Sequence, residues 1–109
     1  MTAVQVFEGD GVDRGAPSEK GYRFIFSRRI IYGADGSQFG HVAEFDNRKD
    51  SVAYLVAEML AHSQCAGYDA RALADNYVDA RQSVGELRLA KVQDIDIGKY
   101  RYRLNVVMP

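Results

Sequence analysis

A chain of 109 residues, 47% of them hydrophobic and 27% charged, has the size and composition of one globular domain with a single core; it is too short for two. The formal net charge of −1 excludes a global attraction to nucleic acid or anionic membrane, so binding of either kind would need a local patch. The lone cysteine, Cys65, excludes an intrachain disulfide and suits a reducing cytoplasm, and no run approaches the ~20 apolar residues of a membrane span. The opening MTAVQVFEGD lacks the basic and apolar regions of a secretion signal. Ten arginines against four lysines, with thirteen alanines, suit a GC-rich bacterial or phage source.

In chain order, residues 3–8 (AVQVFE) alternate briefly, with Val4 on one face and Phe7 on the other, as an edge strand would. Four glycines and a proline among charges make 9–21 (GDGVDRGAPSEKG) a flexible loop. Strand character begins at Tyr22: YRFIFSRRIIY is dense in β-branched and aromatic residues, and Asp35-Gly36 supplies a hairpin turn before QFGHVAEF. The period then changes from two to 3.6. Val52, Leu55, Val56, Met59 and Leu60 form one helical stripe, with Asp46 or Asn47 as N-cap, Asp50 in the first turn and Gly67 as the stop. A second helix, capped by Asp69, turns Ala70, Leu73, Ala74, Tyr77 and Val78 inward and ends near Gly85. Two alternating strands, 86–96 and 99–108, close the chain around Ile97-Gly98.

Register assigns the faces. With the last turn at Ile97-Gly98, Ile95 faces Tyr100, Asp94 faces Arg101 and Asp96 faces Lys99. Leu87, Leu89, Ile95, Ile97, Tyr100, Tyr102, Leu104, Val106 and Met108 share a core face; Asp94, Asp96, Arg101 and Arg103 share the opposite one. The segment KYRYRL, whose basic and aromatic alternation invites a nucleic-acid reading, therefore points its tyrosines inward and sets its arginines beside aspartates. In the first hairpin, a turn at Asp35-Gly36 pairs Phe26 with Phe45, Arg28 with Ala43 and Ile30 with His41. Tyr22, Phe24, Phe26, Ile30, Tyr32, Phe39, Ala43 and Phe45 then form a core face that Arg28 and His41 interrupt. Either the strand bulges at Ser27-Arg28-Arg29, the reading the pattern favours, or Arg28 lines a polar pocket.

Familiar chemistries fit poorly. The glycines of 33–40 lack the Gly-Lys-Ser/Thr of a phosphate loop and lead into a strand. A calcium loop read from Asp10 puts Val12, Arg14 and Gly21 where oxygen ligands belong. His62 and Cys65, at i and i+3, with His41 elsewhere, do not make a zinc set, and nothing orients His62 as a base for Cys65. No catalytic residue, metal or cofactor is expected.

The expectation is an α+β fold with residues 1–109 as a single domain: an antiparallel sheet of four or five strands from two hairpins, with two helices packed on one face. By elimination the leading function is a non-enzymatic binding or accessory protein acting through protein–protein contacts. The open sheet face would carry Ile25, Ile31, Val42, Val92 and Val107 as an interface, a homodimer being the simplest case. The alternative is nucleic-acid binding through Arg23, Arg29, Arg101 and Arg103. The third is a ligand-binding or enzymatic pocket around Arg28 and His41.

Overall fold

The computed structural model describes residues 21–31, 38–87 and 94–108, the side chains of 84–87 excepted. The strand expected at 3–8, nearly all of the 9–21 loop, the Asp35-Gly36 turn, Tyr32, Leu89 and Val92 lie outside these residues. Four strands form one antiparallel sheet, β1 (Arg23–Ile30), β2 (Gly40–Phe45), β3 (Ile95–Ile97) and β4 (Tyr100–Val107), in the order β2-β1-β4-β3. Helices α1 (Arg48–His62) and α2 (Gly67–Leu87) pack against the sheet, giving the α+β architecture expected from the change of hydrophobic period.

Local chemistry fixes where the helices begin and end. Asn47, in extended conformation, accepts the Asp50 amide at 2.8 Å on its side-chain oxygen, and its amide nitrogen donates to the Asp50 and Asp46 carboxylates. That reciprocal pair satisfies a helix N-terminus within the core and offsets the cost of burying Asn47 and Asp50. Ser63 ends α1, its amide and hydroxyl both donating to the Met59 carbonyl. Gly67 is the first residue of α2, where the sequence pattern made it the stop of α1; the helix also continues past Gly85 to Leu87. The last two residues of α2 therefore correct the expected strand at 86–96, of which only Ile95 and Asp96 are strand among the described residues; the strand runs on to Ile97, expected in the turn.

The core is a sheet of aromatics under a bulky face of α1 and a small-residue face of α2. Phe24, Phe26, Phe45, Tyr102 and Leu104 meet Leu55, Tyr54, Ala70, Ala74 and Val78, all buried. Ala70 and Ala74 let α2 approach closely, while Leu60 and Leu73, expected on the inward stripes, are about half exposed at 52% and 51%. Arg48 ties the helices together, donating to Asp75 and Asp79. Residues of α2 also reach the backbone of β4 directly. Leu104 donates its amide to the Tyr77 hydroxyl at 3.2 Å and accepts from Arg81 Nε at 2.8 Å, so both of its backbone groups are satisfied.

Both hairpins differ in register from expectation, and the differences are of two kinds. In β3–β4 the turn falls at Gly98-Lys99, with Ile97 opposite Tyr100 and Ile95 opposite Tyr102. The slip is by two residues, so every side chain keeps its expected face. In β1–β2, Phe24 pairs with Phe45 and Phe26 with Ala43, again a slip of two, but Ser27 then pairs with His41. Val42 is the extra residue of a β-bulge. The chain before it changes faces: His41 and Phe39, expected toward the core, turn to the open face, and Val42 packs against the core.

Candidate functional site

The open sheet face collects Arg23, Ile25 and Arg29 from β1, Phe39 and His41 from the β2 side, Glu44 from β2, and Arg101, Arg103 and Val107 from β4. Its arginines are largely committed. Arg101 grips Asp96 through two hydrogen bonds of 2.8 and 3.2 Å, and Arg103 grips Asp94 through two of 3.0 Å. Arg23 pairs with Glu44, whose other oxygen lies 3.6 Å from His41 Nε2. The Arg101 hydrogen bond, aided by its charge, holds the Asp96 carboxyl below the usual range, and the Asp94 hydrogen bond raises Arg103. Arg29 donates to the Ile30 carbonyl at 3.3 Å. Phe39 sits among these groups with the Arg103 guanidinium 4.0 Å from its ring centroid and that of Arg29 at 5.8 Å.

The aliphatic residues expected as an interface are divided by the fold. Ile25 and Val107 are diagonal neighbours at one end of the face, since Val107 pairs with Arg23 and Asn105 with Ile25. Ile31 follows β1 at the other end, half-buried, and Val42 has left the face through the bulge. Val107 is 45% exposed.

Arg28 lies on the helix side of the sheet, beside a cleft. A bulge is present, but β1 pairs with β4 without interruption, Arg28 opposite Tyr102, so the arginine stays on the helix side. There Nη1 donates to Glu58 Oε1 at 3.2 Å and to the Tyr102 hydroxyl at 3.1 Å, while the Tyr102 hydroxyl donates to the same Glu58 oxygen at 2.5 Å. The guanidinium lies 4.0 Å over the Tyr100 ring. His62 stacks edge-on against Tyr100 at 5.1 Å, with Nε2 3.8 Å from Glu58. Burial pulls the Arg28 pKa down, but the Tyr102 hydrogen bond and the charges of Tyr102, Tyr100 and Glu58 outweigh it, and the net shift is upward. Burial raises Tyr102, as does its bond to Glu58. The phenol is a fixed neutral donor.

Glu58 is the residue that sequence reading missed. Its signal was the spacing of Tyr54, Glu58 and His62, four apart along α1 beside the apolar stripe, facing a strand whose arginine required a partner.

Beside Arg28 the helix layer stops short of the sheet's end. Ile30, expected in the core, is 44% exposed, and an open cleft of about 350 Å³ lies between the end of β1 and the start of β2. It brings Arg28 and His41 to one place as the sequence suggested, with His41 reaching it from the open-face side. Among the described residues no three His, Cys, Asp or Glu side chains stand close enough to hold a metal, and Cys65 is a half-buried free thiol.

Comparison with known proteins gives no match, whether to family models, to curated proteins or to solved structures. The site must be read from its own geometry. Among the described residues no helix is long and apolar enough to cross a membrane.

Proposed function

We propose that this chain is a non-enzymatic binding module whose open sheet face docks a protein partner, a second copy of itself being the simplest occupant. The observation that carries this reading is Phe39, held on the open face between Arg29 and an Arg103 that Asp94 locks in place. Aromatic and arginine side chains are the residues enriched at protein interfaces, and anchors already rigid in the free protein lose little entropy on docking. The charges are laid out to suit a second copy. Arginines occupy the central strands β1 and β4, and the carboxylates Glu44, Asp94 and Asp96 flank them. These ion pairs stay closed within each copy and form a polar rim around Phe39, and a two-fold axis closes the pair of copies.

Light scattering and sedimentation across a concentration series test this. A dimer that Ile25→Glu with Val107→Glu converts into folded monomers supports the self-docking reading. A wild type that stays monomeric at high concentration removes the second copy as the occupant.

Nucleic acid is the competing occupant, favoured by the same stacking of Phe39 between arginines. Phosphates would have to displace Asp94, Asp96 and Glu44 from the arginines they already neutralise. The expected result is no measurable oligonucleotide binding at physiological salt. Binding that weakens steeply with salt and is lost in Arg101→Ala with Arg103→Ala would overturn the protein-partner reading.

A further inference from the structure

We propose that the cleft at the end of β1 binds a small organic anion, a carboxylate or phosphate carried on an apolar body, with Arg28 as its fixed cationic anchor. Its anchor lies off the docking face, since Arg28 and Gly40 pair with each other across β1 and β2 on the helix side of the sheet, while Arg29 and His41 border both surfaces.

Three observations meet there. First, the guanidinium of Arg28 is oriented from behind and available in front. Glu58 and the Tyr102 hydroxyl both engage Nη1, Tyr100 supports the plane from below, and among the described residues Nε and Nη2 meet no acceptor. Those two nitrogens form one edge of the fork that matches a carboxylate or phosphate through two parallel hydrogen bonds. The side chain is 30% exposed, so the charge is partly desolvated yet reachable.

Second, the cleft has one sign of charge. Arg29, Gln38 and His41 join Arg28 in its lining, and among the described residues no carboxylate does. Glu58 lies behind Arg28 and neutralises part of its charge, but Arg29 adds a second cation at the mouth. Among the described lining residues an anion finds two arginines, whereas the nearest carboxylates, Glu58 and Glu44, are turned to Arg28 and His41.

Third, the remaining wall is apolar. Ile30, Val42 and Tyr100 complete it, and a volume of about 350 Å³ is at the small end of the range for ligand clefts. Gly40 keeps the floor open: among the described residues a Cβ added there would meet no atom within 4 Å. The bulge contributes as well, because it brings Val42 to this wall while sending His41 to the rim.

The test is a titration of the folded protein with benzoate and with phenyl phosphate, followed by amide and arginine side-chain NMR and by calorimetry, with benzamide as the uncharged match. At least one anion should bind saturably, shifting Arg28 Nε–H, Gly40 and Tyr100, while benzamide does not. Whichever anion binds more tightly names the headgroup. Arg28→Gln strands Glu58 and risks the fold, so the deciding variants are Gly40→Leu, which fills the cleft, and Arg28→Lys, which keeps the charge but loses the fork. Each should retain the native circular dichroism and weaken anion binding by about tenfold or more, the factor that accompanies 1.4 kcal/mol. Saturable binding of neither anion, equal binding of benzamide, or unchanged affinity in folded Gly40→Leu would overturn the proposal. Gly40→Leu projects to the helix side and replaces none of Phe39, Ile25 and Val107, so the oligomeric state reads the docking face independently and the two failures are distinguishable.

Discussion

The two hairpins depart from their sequence pattern by the same even slip, yet only one of them ends up with a different surface. In β3–β4 the turn moves to Gly98-Lys99, and Tyr100 and Tyr102 still face inward while Arg101 and Arg103 still meet aspartates. In β1–β2 a single extra residue, Val42, sends Phe39 and His41 through the sheet to the other side. An even displacement is invisible to a two-residue repeat, whereas an odd one inverts it. The same odd residue builds both candidate surfaces, placing Phe39 among the arginines of the open face and Val42 on the wall of the Arg28 cleft.

Four substitutions bear on that contrast. Tyr102→Ala, at the centre of the undisturbed hairpin, is expected to cost about 3 kcal/mol or more in denaturant titration, since it opens a core cavity and removes a partner from Arg28 and Glu58. A loss under about 1 kcal/mol would mean that this tyrosine is a surface residue and the face assignment inverted. Gly98→Ala comes next, at about 2 kcal/mol: φ there is +60°, and an added Cβ collides with the His62 carbonyl at the end of α1. An unchanged midpoint would show that the turn does not press on the helix.

Phe39→Ala sharpens the comparison most directly. On the open face it should cost under about 1 kcal/mol, whereas the unbulged register puts it in the core at about 3 kcal/mol or more. Smallest is Asp96→Asn, a few tenths of a kcal/mol at neutral pH, because the Arg101 pair is exposed. Its pH dependence is diagnostic. The Asp96 pKa is depressed in the folded state, so its contribution is fully present above the ordinary aspartate value of about 4 and fades as the pH falls through the lowered one. Wild type and Asp96→Asn should therefore converge in stability in acid; a constant gap would show that the pair is not formed.

Much of the architecture was legible because it rests on local rules. Asn47 caps α1 as its residue type predicts, the change of period at residue 46 marks the passage from sheet to helix, and the tyrosines of KYRYRL lie inside because alternation and opposite charge agree. What escaped was set by neighbours distant in sequence. Nothing in QFGHVAEF announces which residue is extra; Gly40 hints at irregularity without locating it. Leu60 and Leu73 belong to plausible stripes, but the crossing of the two helices decides which edge of each stripe is covered. For the candidate cleft, Arg28 and His41 were found as violations of a pattern. Glu58, which makes the violation tolerable, was not, because a glutamate on a helix looks at home in water.

The pairing of β1 with β4 has a kinetic consequence. The two central strands come from opposite ends of the described chain, and the contact between them is the most extensive in the sheet. Each hairpin can close early on its own turn, but the sheet cannot be completed until β4 finds β1 across both helices. Loop-closure entropy is therefore spent before the largest block of strand pairing is gained. Folding should be limited by that meeting, and a nascent chain lacking β4 would present the Phe24 and Phe26 face and the inner edge of β1 to whatever lies nearby.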